Sequence, residues 1–401
     1  MPFRVALSGL NAASSDLNVT ANNIANANTV GFKASRAEFA DVFAVGAQEI
    51  GNGTRLANVS QEFSQGGVDF TDRALDLALS GEGFFTTSDN GVISYTRVGS
   101  FGVDRDGFVV NSQNARLQIF PPASNGTFNT GTLNDLQLAT TDSAPQPTTL
   151  AQFGINLPAN SAPPPVGVFD PNNASSFNHS TAVTIYDSLG AAHTATVYFV
   201  KTATANQWNA EFSIDGTLVP GGPYAMAYSN LGVLTTPAAG TFALPAVNPP
   251  NGAAPIVLTA DFARSTQYGA DFGVNQLNQN GFTAGRLSNI DVDGTGVIFA
   301  RFTNGRSEPL GQVALSNFAN VQGLRQLGDT SWGETFSSGD AIRGSAGAGS
   351  FGLIQSGALE SSNVDLTQQL VNMITAQRNF QANAQMISTA DQVTQTIINI
   401  R

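Results

Sequence analysis

Proline is confined almost entirely to the middle of this 401-residue chain. Of its 18 prolines, 16 lie between Pro121 and Pro255, and the other two are Pro2 and Pro309. Proline breaks the interior of a helix and is excluded from central strands. The distribution therefore predicts a middle region of short strands and loops, with long helices only at the two ends.

Both ends carry an apolar pattern with helical spacing. Near the N terminus, up to about Asn28, apolar residues recur in steps of three, four and seven on one face. These residues are Phe3, Leu7, Leu10, Leu17, Ala21 and Ile24. The helices can pair within one chain or stay mobile until copies assemble, and the pattern leaves both alternatives open.

The C-terminal end repeats this pattern from Val364 to Ile400. We expect a glycine-rich loop over 344–357 to precede this helix, Ser362 or Asn363 to cap it, and Asp365 to lie in its first turn. Between 366 and 401 there are 11 Asn or Gln and only three charged residues, so its polar face suits contact with neighbours. The seam residues are Leu366, Leu370, Met373, Phe380, Ala384, Ile387, Val393, Ile397 and Ile400.

Short strands are predicted inside the two helices. Residues 75–79 alternate, and a turn at 104–107 precedes another strand. The middle adds strands at 182–186, 196–200 and 208–214. The expected fold class is α+β, with terminal α-helices around nested β-rich domains of sandwich or barrel type.

Composition excludes several classes of function. The net charge of -12 with scattered arginines disfavours nucleic acid and anionic membranes, and the absence of cysteine removes disulfides and thiolate sites. The start of the chain lacks a Sec-type signal, so we expect a cytoplasmic protein or export by another route. With two histidines and no nucleophile placed beside a base, we expect no enzyme, no cofactor and no metal site.

Two weak motifs are better explained as turns. Residues 347–352 match G-x-G-x-x-G but lack the strand that precedes a dinucleotide site. The segments 104–107 and 291–294 resemble the start of a calcium loop, but neither has the acidic residue that ends one. Glycine-rich connection and Asp-Gly turns are the favoured interpretations.

Separated motifs at the two ends resemble the bacterial flagellar axial proteins, which are rod, hook and junction subunits. The N-terminal motifs are residues 8–12, 22–26 and 29–33, and the C-terminal motifs are 362–366, 370–374 and 377–381. Inner segments such as 75–85 match as well, and the insert at about 139–280 makes the chain most similar to hook subunits. The chain departs from the family pattern at Gln368 and Gln369, where an acidic residue is common, and at Phe380, where tyrosine is common.

This resemblance implies a structural subunit that self-assembles into a curved, flexible tube linking the rod to the filament and transmitting torque. Its terminal helices would form an inner coiled-coil layer around an export channel. The implied partners are further copies of the chain, the distal rod, hook cap and hook-filament junction proteins, and the flagellar type III export apparatus. The implied location is the flagellar hook, outside the cell after export.

The resemblance and the seams together assign domains and sites. We expect terminal helices at 1–30 and 362–401, a connector at 31–70, a first β domain at 71–140 and 282–358, and an outer β domain at 141–281. Connector residues are Gly31, Phe32, Lys33 and Phe39. Self-assembly residues are Leu7, Leu10, Leu17, Asn23, Ile24, Asn26, Leu366, Leu370, Met373, Gln377, Arg378, Phe380 and Ile387.

Two alternative functions remain open at this point. The first is another axial subunit of the distal rod type, which would differ in tube straightness and position. The second is a secreted carbohydrate-binding or adhesive β protein, which needs an exposed aromatic platform in the middle domain. Trp208, Tyr224 and Tyr228 are the candidates for that platform.

Overall fold

A long helix stands at each end of the computed structural model, which describes residues 2–43, 51–123, 126–138 and 142–399. Helix α1 spans Pro2–Ala25, α2 spans Leu366–Asn399, and the segment between them consists of short strands. The predicted β-rich chain with two terminal helices is confirmed at this level. The chain divides into two compact units, the first over 1–140, 289–301 and 307–401, and the second over 141–288 and 302–306.

The first unit contains both helices and the strands nearest to them in sequence. Its early strands are β1 Ser35–Asp41, β2 Thr54–Gln61, β3 Val68–Phe70, β4 Leu77–Ser80, β5 Phe84–Asp89, β6 Val92–Thr96, β7 Gly102–Val103, β8 Val109–Val110, β9 Arg116–Phe120 and β10 Asn134–Asp135. Its late strands, two of which reach the unit boundary, are β21 Leu287–Val292, β22 Val297–Phe302, β23 Ser307–Val313, β24 Leu315–Asn317, β25 Arg325–Gly328, β26 Ser331–Gly333, β27 Ile342–Gly344, β28 Leu353–Ser356 and β29 Ala358–Glu360.

The late strands of the first unit pair with its early ones. The largest sheet has 13 strands and runs β21-β22-β23-β9-β5-β6-β26-β25 along its main path. Three two-stranded sheets join β1 to β2, β28 to β4 and β29 to β3. Two apolar clusters fill this unit, and the smaller one is aromatic, with Phe84, Tyr95, Phe318 and Trp332 buried. A short 3-10 turn, Val321–Gly323, lies between β24 and β25.

The second unit is built from two sheets around one core. Its strands are β11 Leu150–Asn156, β12 His179–Tyr186, β13 Ala192–Lys201, β14 Gln207–Ile214, β15 Thr217–Leu218, β16 Tyr224–Tyr228, β17 Leu234–Thr236, β18 Thr241–Ala243, β19 Thr259–Asp261 and β20 Gly273–Gln279, with a 3-10 turn at Ala174–Ser176. The six-stranded sheet follows β12-β13-β14-β16-β17, and the four-stranded sheet follows β18-β19-β11-β20.

Aromatic side chains from both of these sheets meet in the second unit's core. Phe262 stacks on Phe153 with ring centroids 4.9 Å apart and also packs against Phe199, Phe212 and Phe242. Strand β13 supplies alternate buried side chains, as expected for a strand with one face on a core. The second unit therefore has a large apolar core of its own.

Two expectations about local structure are corrected. Residues 77–79 of β4 are all buried rather than alternating, because β4 lies inside the first unit with β28 paired to it. The region 344–357 is not one loop, since β28 starts at Leu353, and only the turn between β27 and β28 is irregular. Gly347 and Gly349 in that turn adopt positive φ angles of 76° and 60°.

Candidate self-assembly site

The two terminal helices pack against each other in antiparallel orientation. Asn23, near the end of α1, donates from Nδ2 to Oε1 of Gln369 at the start of α2, at 3.3 Å. Gly9, near the start of α1, lies so close to the side chain of Asn383 that a Cβ there would collide with it. The helices could pair within one chain or stay mobile until copies assemble, and in the structure they pair within one chain.

The contact face of α1 alternates in steps of four and three residues. The small side chains of Ala6, Ala13 and Thr20 are buried. Between them lie half-buried members of the predicted seam, Leu10, Leu17 and Ile24. Leu7 is 43% exposed and lies beside this face. The spacing is that of helices packed side by side, with small residues allowing close approach.

The seam of α2 is only partly covered. Ala376 is fully buried, and Met373, Phe380 and Ile387 are half-buried. Because α2 has 34 residues and α1 has 24, and because Gly9 lies beside Asn383, the last turns of α2 extend beyond the start of α1. The predicted assembly residues Leu366, Leu370, Gln377 and Arg378 are exposed.

A set of large apolar side chains on the helices stays in contact with solvent. Single exposed apolar residues are ordinary on a protein surface, whereas a cluster on one element marks an interaction surface. Leu370 and Ile374 stand one turn apart on α2 and are each about half exposed, at 51% and 50%. The exposed apolar residues of the helices are Phe3, Leu7, Leu366, Leu370, Val371, Ile374, Met386, Val393 and Ile398.

Asn23 connects the end of α1 to β1. Its Nδ2 donates to the carbonyl of Ser35 at 2.7 Å, and its Oδ1 accepts from the Ser35 amide at 2.9 Å. The side chain is 1% exposed, so both bonds are made away from solvent. Asn26 instead bonds locally, to the carbonyl of Asn22 and the hydroxyl of Thr29.

A second asparagine, Asn363, performs a similar role beside α2. Its Oδ1 accepts from the amide of Ala34 at 2.7 Å, and its Nδ2 donates to the carbonyl of Glu62 at 2.7 Å. Asp365 caps the helix, since its Oδ1 accepts from the amides of Thr367 and Gln368. The expectation of a cap at Ser362 or Asn363 was therefore wrong, because the Asn363 amide is used on the connector.

A buried carboxylate lies between two cations next to this asparagine. Glu360 is fully buried; its Oε1 accepts from Nζ of Lys33 at 2.6 Å, and its Oε2 accepts from Nη1 of Arg97 at 3.3 Å. Lys33 also donates to the carbonyl of Ser64 at 2.7 Å, and the amide of Gly66 donates to Oε1 at 2.9 Å. Burial lowers the pKa of Lys33, and the adjacent carboxylate opposes that shift.

This Lys33–Glu360–Arg97 triad joins three segments of the first unit. Lys33 comes from the connector, Arg97 follows β6, and Glu360 ends β29 just before α2. Arg97 also donates to the carbonyl of Gly81 at 2.8 Å. Buried charges are tolerated only when paired and hydrogen-bonded. The triad therefore holds the base of the helix pair in one position on the β structure of its unit.

Of the other predicted connector residues, Gly31 contacts the triad directly. Gly31 has a φ of 67°, and its amide donates to the carbonyl of Glu360 at 2.8 Å. Phe32 is half-buried, whereas Phe39 is 41% exposed and pairs across the hairpin with Leu56. Gly31 thus turns the chain where only glycine is free of strain.

Sequence reasoning missed several residues of this site. The buried α1 positions Ala6, Ala13 and Thr20 are small, so a search for large apolar residues passed over them, although their seven-residue spacing was visible. The roles of Glu360 and Arg97 in the triad gave no local signal, because Glu360 is far in sequence from both of its cationic partners, Lys33 and Arg97. The rarity of lysine was a usable signal, since Lys33 is one of only two in the chain.

The geometry supports neither the calcium-loop segments nor the aromatic platform. Oδ1 of Asp104 and of Asp293 accepts backbone amides within its own turn, as in ordinary Asp-Gly turns. Trp208 and Tyr228 are buried and Tyr224 is half-buried, so they form no exposed platform. Among the described residues, no group of histidine and carboxylate side chains is arranged to hold a metal ion, and no helix is long and apolar enough to cross a membrane.

Family models of flagellar proteins match most of the chain. A model described as flagella basal body rod protein matches residues 3–33, and one described as flagellar hook protein FlgE/F/G D1 domain matches 78–167. Residues 156–282 match the flagellar basal body protein FlaE D2 domain, and 355–400 match the flagellar basal body rod FlgEFG protein C-terminal model.

Whole-chain relatives and one solved structure agree with these matches. The chain is 40% identical to flagellar hook protein FlgE of Escherichia coli K12, with both proteins covered completely. It is 33% identical to the protein of the same name from Rhizobium meliloti, over 100% of this chain and 98% of the relative. The crystal structure of Helicobacter pylori flagellar hook protein FlgE2 superposes on this chain with a TM-score of 0.55 at 14% sequence identity. The match covers 73% of this chain and 100% of that chain, and at this identity it shows similarity of fold alone.

Proposed function

This chain belongs to the flagellar hook protein family, and we propose on that premise that it is a structural subunit of the hook of a bacterial flagellum. It acts by self-association. The observation that carries this proposal is the apolar surface that α2 keeps after pairing with α1, including Leu366, Leu370 and Ile374. A contiguous apolar surface of this kind marks an interaction site, because covering it removes apolar area from water.

In this proposal the helix pairs of successive copies form an inner coiled-coil layer around a central channel. Heterologous contacts between copies generate a helical tube when their rotation does not close a ring. The amide-rich face of α2 supports this arrangement, since uncharged amides cost less to desolvate than charges. The remaining parts are the connector at 31–70, a first β domain at 71–140 with 282–358, and an outer β domain at 141–281.

Curvature, torque transmission and the protein partners of the hook belong to the same proposal. The partners are the distal rod, the hook cap, the hook-filament junction proteins and the type III export apparatus. Family membership supports these partners. The tube is curved and flexible because its outer domains form weak, wet contacts that exchange as each row of subunits shortens and lengthens.

The test compares two double variants of the full-length chain under polymerising salt. Leu370→Ser with Ile374→Ser removes apolar surface from α2, and Gln368→Ser with Gln385→Ser is the matched control at exposed polar positions of the same helix. We expect the first variant to raise the concentration needed for tubes about tenfold or more, because each buried apolar side chain contributes on the order of 1 kcal/mol.

Sedimentation and negative-stain electron microscopy provide the readout. The control variant is expected to form tubes at the wild-type concentration. Equal impairment of the two variants, or normal tubes from the first, would show that the exposed apolar stripe of α2 is not an interface between copies.

A further inference from the structure

The second unit contains a histidine held on both sides by carboxylates. His193 lies at the start of β13, on the face of that strand which points into the unit, and its side chain is 9% exposed. Its Nδ1 lies 2.6 Å from Oδ2 of Asp215, and its Nε2 lies 3.2 Å from Oδ2 of Asp187. The Asp187 side chain is fully buried and that of Asp215 is half exposed.

This arrangement defines the protonation state of the ring. An ionised carboxylate can only accept hydrogen bonds, and a neutral imidazole has one donor and one acceptor nitrogen. If the ring were neutral, one nitrogen lone pair would face a carboxylate oxygen, which is repulsive in a buried place. Both nitrogens of His193 must therefore donate, so the ring is an imidazolium when both carboxylates are ionised.

The two carboxylates also accept hydrogen bonds from backbone amides. Oδ1 of Asp187 accepts from the amides of Leu189 and Ala191 at 2.9 Å each, within the β12–β13 turn. Oδ1 of Asp215, in the β14–β15 turn, accepts from the amide of Thr194 at 2.8 Å. Asp187 therefore fixes its own turn, whereas Asp215 ties the β14–β15 turn to Thr194 of β13. The other oxygen of each aspartate contacts the ring.

A third loop joins the same cluster. Nδ2 of Asn251 donates to Oδ2 of Asp187 at 2.5 Å, and the amide of Ala254 donates to Oγ of Ser188 at 2.8 Å. The titratable groups that face the ring, in the part of the chain that the structure describes, are Asp187 and Asp215, while the 251–254 loop contributes only uncharged groups. The ring thus contacts a carboxylate from each of two turns, and the 251–254 loop is attached to it through Asp187.

We propose that His193 is a proton-dependent clamp that, as an imidazolium, holds the β12–β13 turn and its attached 251–254 loop to the β14–β15 turn, and that it releases the two from each other when it loses its proton. The clamp is a property of the second unit and goes beyond the role of the chain as a hook subunit. It makes this end of the unit rigid while the ring is protonated and looser once the ring has lost its proton.

The direction of the pH dependence follows from the environment of each group. Burial alone would lower the pKa of His193, but its hydrogen bonds and charge interactions with Asp215 and Asp187 outweigh burial and raise it. Burial would raise the pKa of Asp187, whereas hydrogen bonds from Asn251, His193, Ala191 and Leu189 lower it to about 2. The histidine's contribution is therefore complete below about pH 6.5 and is lost as the pH rises through the higher pKa of the folded state.

The only other histidine provides an internal control. His179 stacks on Phe272, with ring centroids 4.5 Å apart, and burial lowers its pKa. The two histidines of the chain are therefore expected to titrate on opposite sides of the ordinary value. A chain with only two histidine signals makes this difference directly measurable.

The experiment is a titration of the full-length chain, with isotopically labelled histidine, followed by NMR from about pH 5 to about pH 9. His179→Gln assigns the two signals. We expect His193 to titrate above His179, and the amides of Leu189, Ala191 and Thr194 to lose protection from hydrogen exchange as His193 deprotonates. A His193 signal that titrates with or below His179, or that titrates high while these amides keep their protection, would overturn the clamp.

A conservative variant tests the same clamp without removing the histidine. Asp215→Asn replaces the half-exposed carboxylate by an amide of the same shape, and we expect the titration midpoint of His193 to fall by about one pH unit. Asp170→Asn is the matched control, because this carboxylate accepts a backbone amide in another turn of the same unit. An unchanged midpoint in Asp215→Asn, or an equal shift in Asp170→Asn, would contradict the assignment.

Discussion

The helix pair and the second unit differ in the size of the apolar side chains that they bury. Among the described residues of α1 and α2, the fully buried apolar side chains are three alanines, Ala6, Ala13 and Ala376, while nine large ones are exposed. The second unit buries large aromatic side chains such as Trp208, Phe212 and Phe262 in one core. Large aromatic side chains in a core contribute far more to stability than alanines do, because the gain grows with the apolar area buried. The helix pair therefore gains little from its own packing and depends on further contacts.

The stability of each unit can be measured separately, because the chain has two tryptophans, one in each unit. Trp208 lies in the core of the second unit, and Trp332 lies in the aromatic cluster of the first unit, where its Nε1 donates to Gln61. Variants that keep one tryptophan and replace the other by phenylalanine report the unfolding of each unit separately. The unfolding transitions reported by Trp208 and Trp332 measure the effect of each variant on its own unit.

The largest effect is expected from the core of the second unit. Phe262→Ala should lower the free energy of unfolding of that unit by about 3–5 kcal/mol, since it removes a ring that contacts four other aromatic side chains and leaves a cavity. Denaturant unfolding followed by Trp208 measures this loss. The Trp332 transition should stay in place, and a matching shift of both transitions would show that the two units do not unfold independently.

The next effect is expected from the triad that positions the helix pair. Glu360→Gln should lower the stability of the first unit by about 3 kcal/mol, because it leaves Lys33 and Arg97 buried without a counter-charge. The Trp332 transition is the readout. Glu308→Gln, at an exposed carboxylate of the same unit, is the control that should change stability by less than about 0.5 kcal/mol. An equally small effect of Glu360→Gln would show that the triad does not stabilise the first unit.

A smaller effect is expected from the asparagine next to α2. Asn363→Ala should cost about 1–3 kcal/mol, because the amide of Ala34 loses its acceptor and the carbonyl of Glu62 loses a donor. Asn379→Ala, at an exposed position on α2, is the matched control. A loss confined to the Trp332 transition would support the asparagine's place in the first unit, and equal losses in the two variants would contradict it.

The smallest effect is expected at the start of α2. Asp365→Ala should cost about 1 kcal/mol by removing the acceptor for the amides of Thr367 and Gln368. Helix content from circular dichroism and the Trp332 transition measure it. Ser362→Ala should have a smaller effect than Asp365→Ala, since the structure places the cap at Asp365. The reverse order would restore the expectation drawn from the sequence.

The sequence by itself determined the features that depend on local spacing. Proline restricted helices to the two ends, and steps of three and four residues located the seams at Leu10, Leu17 and Ile24 and at Met373, Phe380 and Ile387. Short motifs at the same two ends were sufficient to suggest the family. These features can be predicted because helix periodicity and backbone restriction act between residues that are neighbours in the chain.

The tertiary structure alone decided which polar groups become buried together. Lys33 and Glu360 are 327 residues apart in the sequence. Asp215, which follows β14, is 22 residues from His193 on the neighbouring strand β13. No local pattern distinguishes these side chains from exposed ones, because the free energy that favours their pairing exists only after the fold has removed them from water. The same holds for the helices, since only the packing of α1 along α2 determines which apolar residues remain exposed.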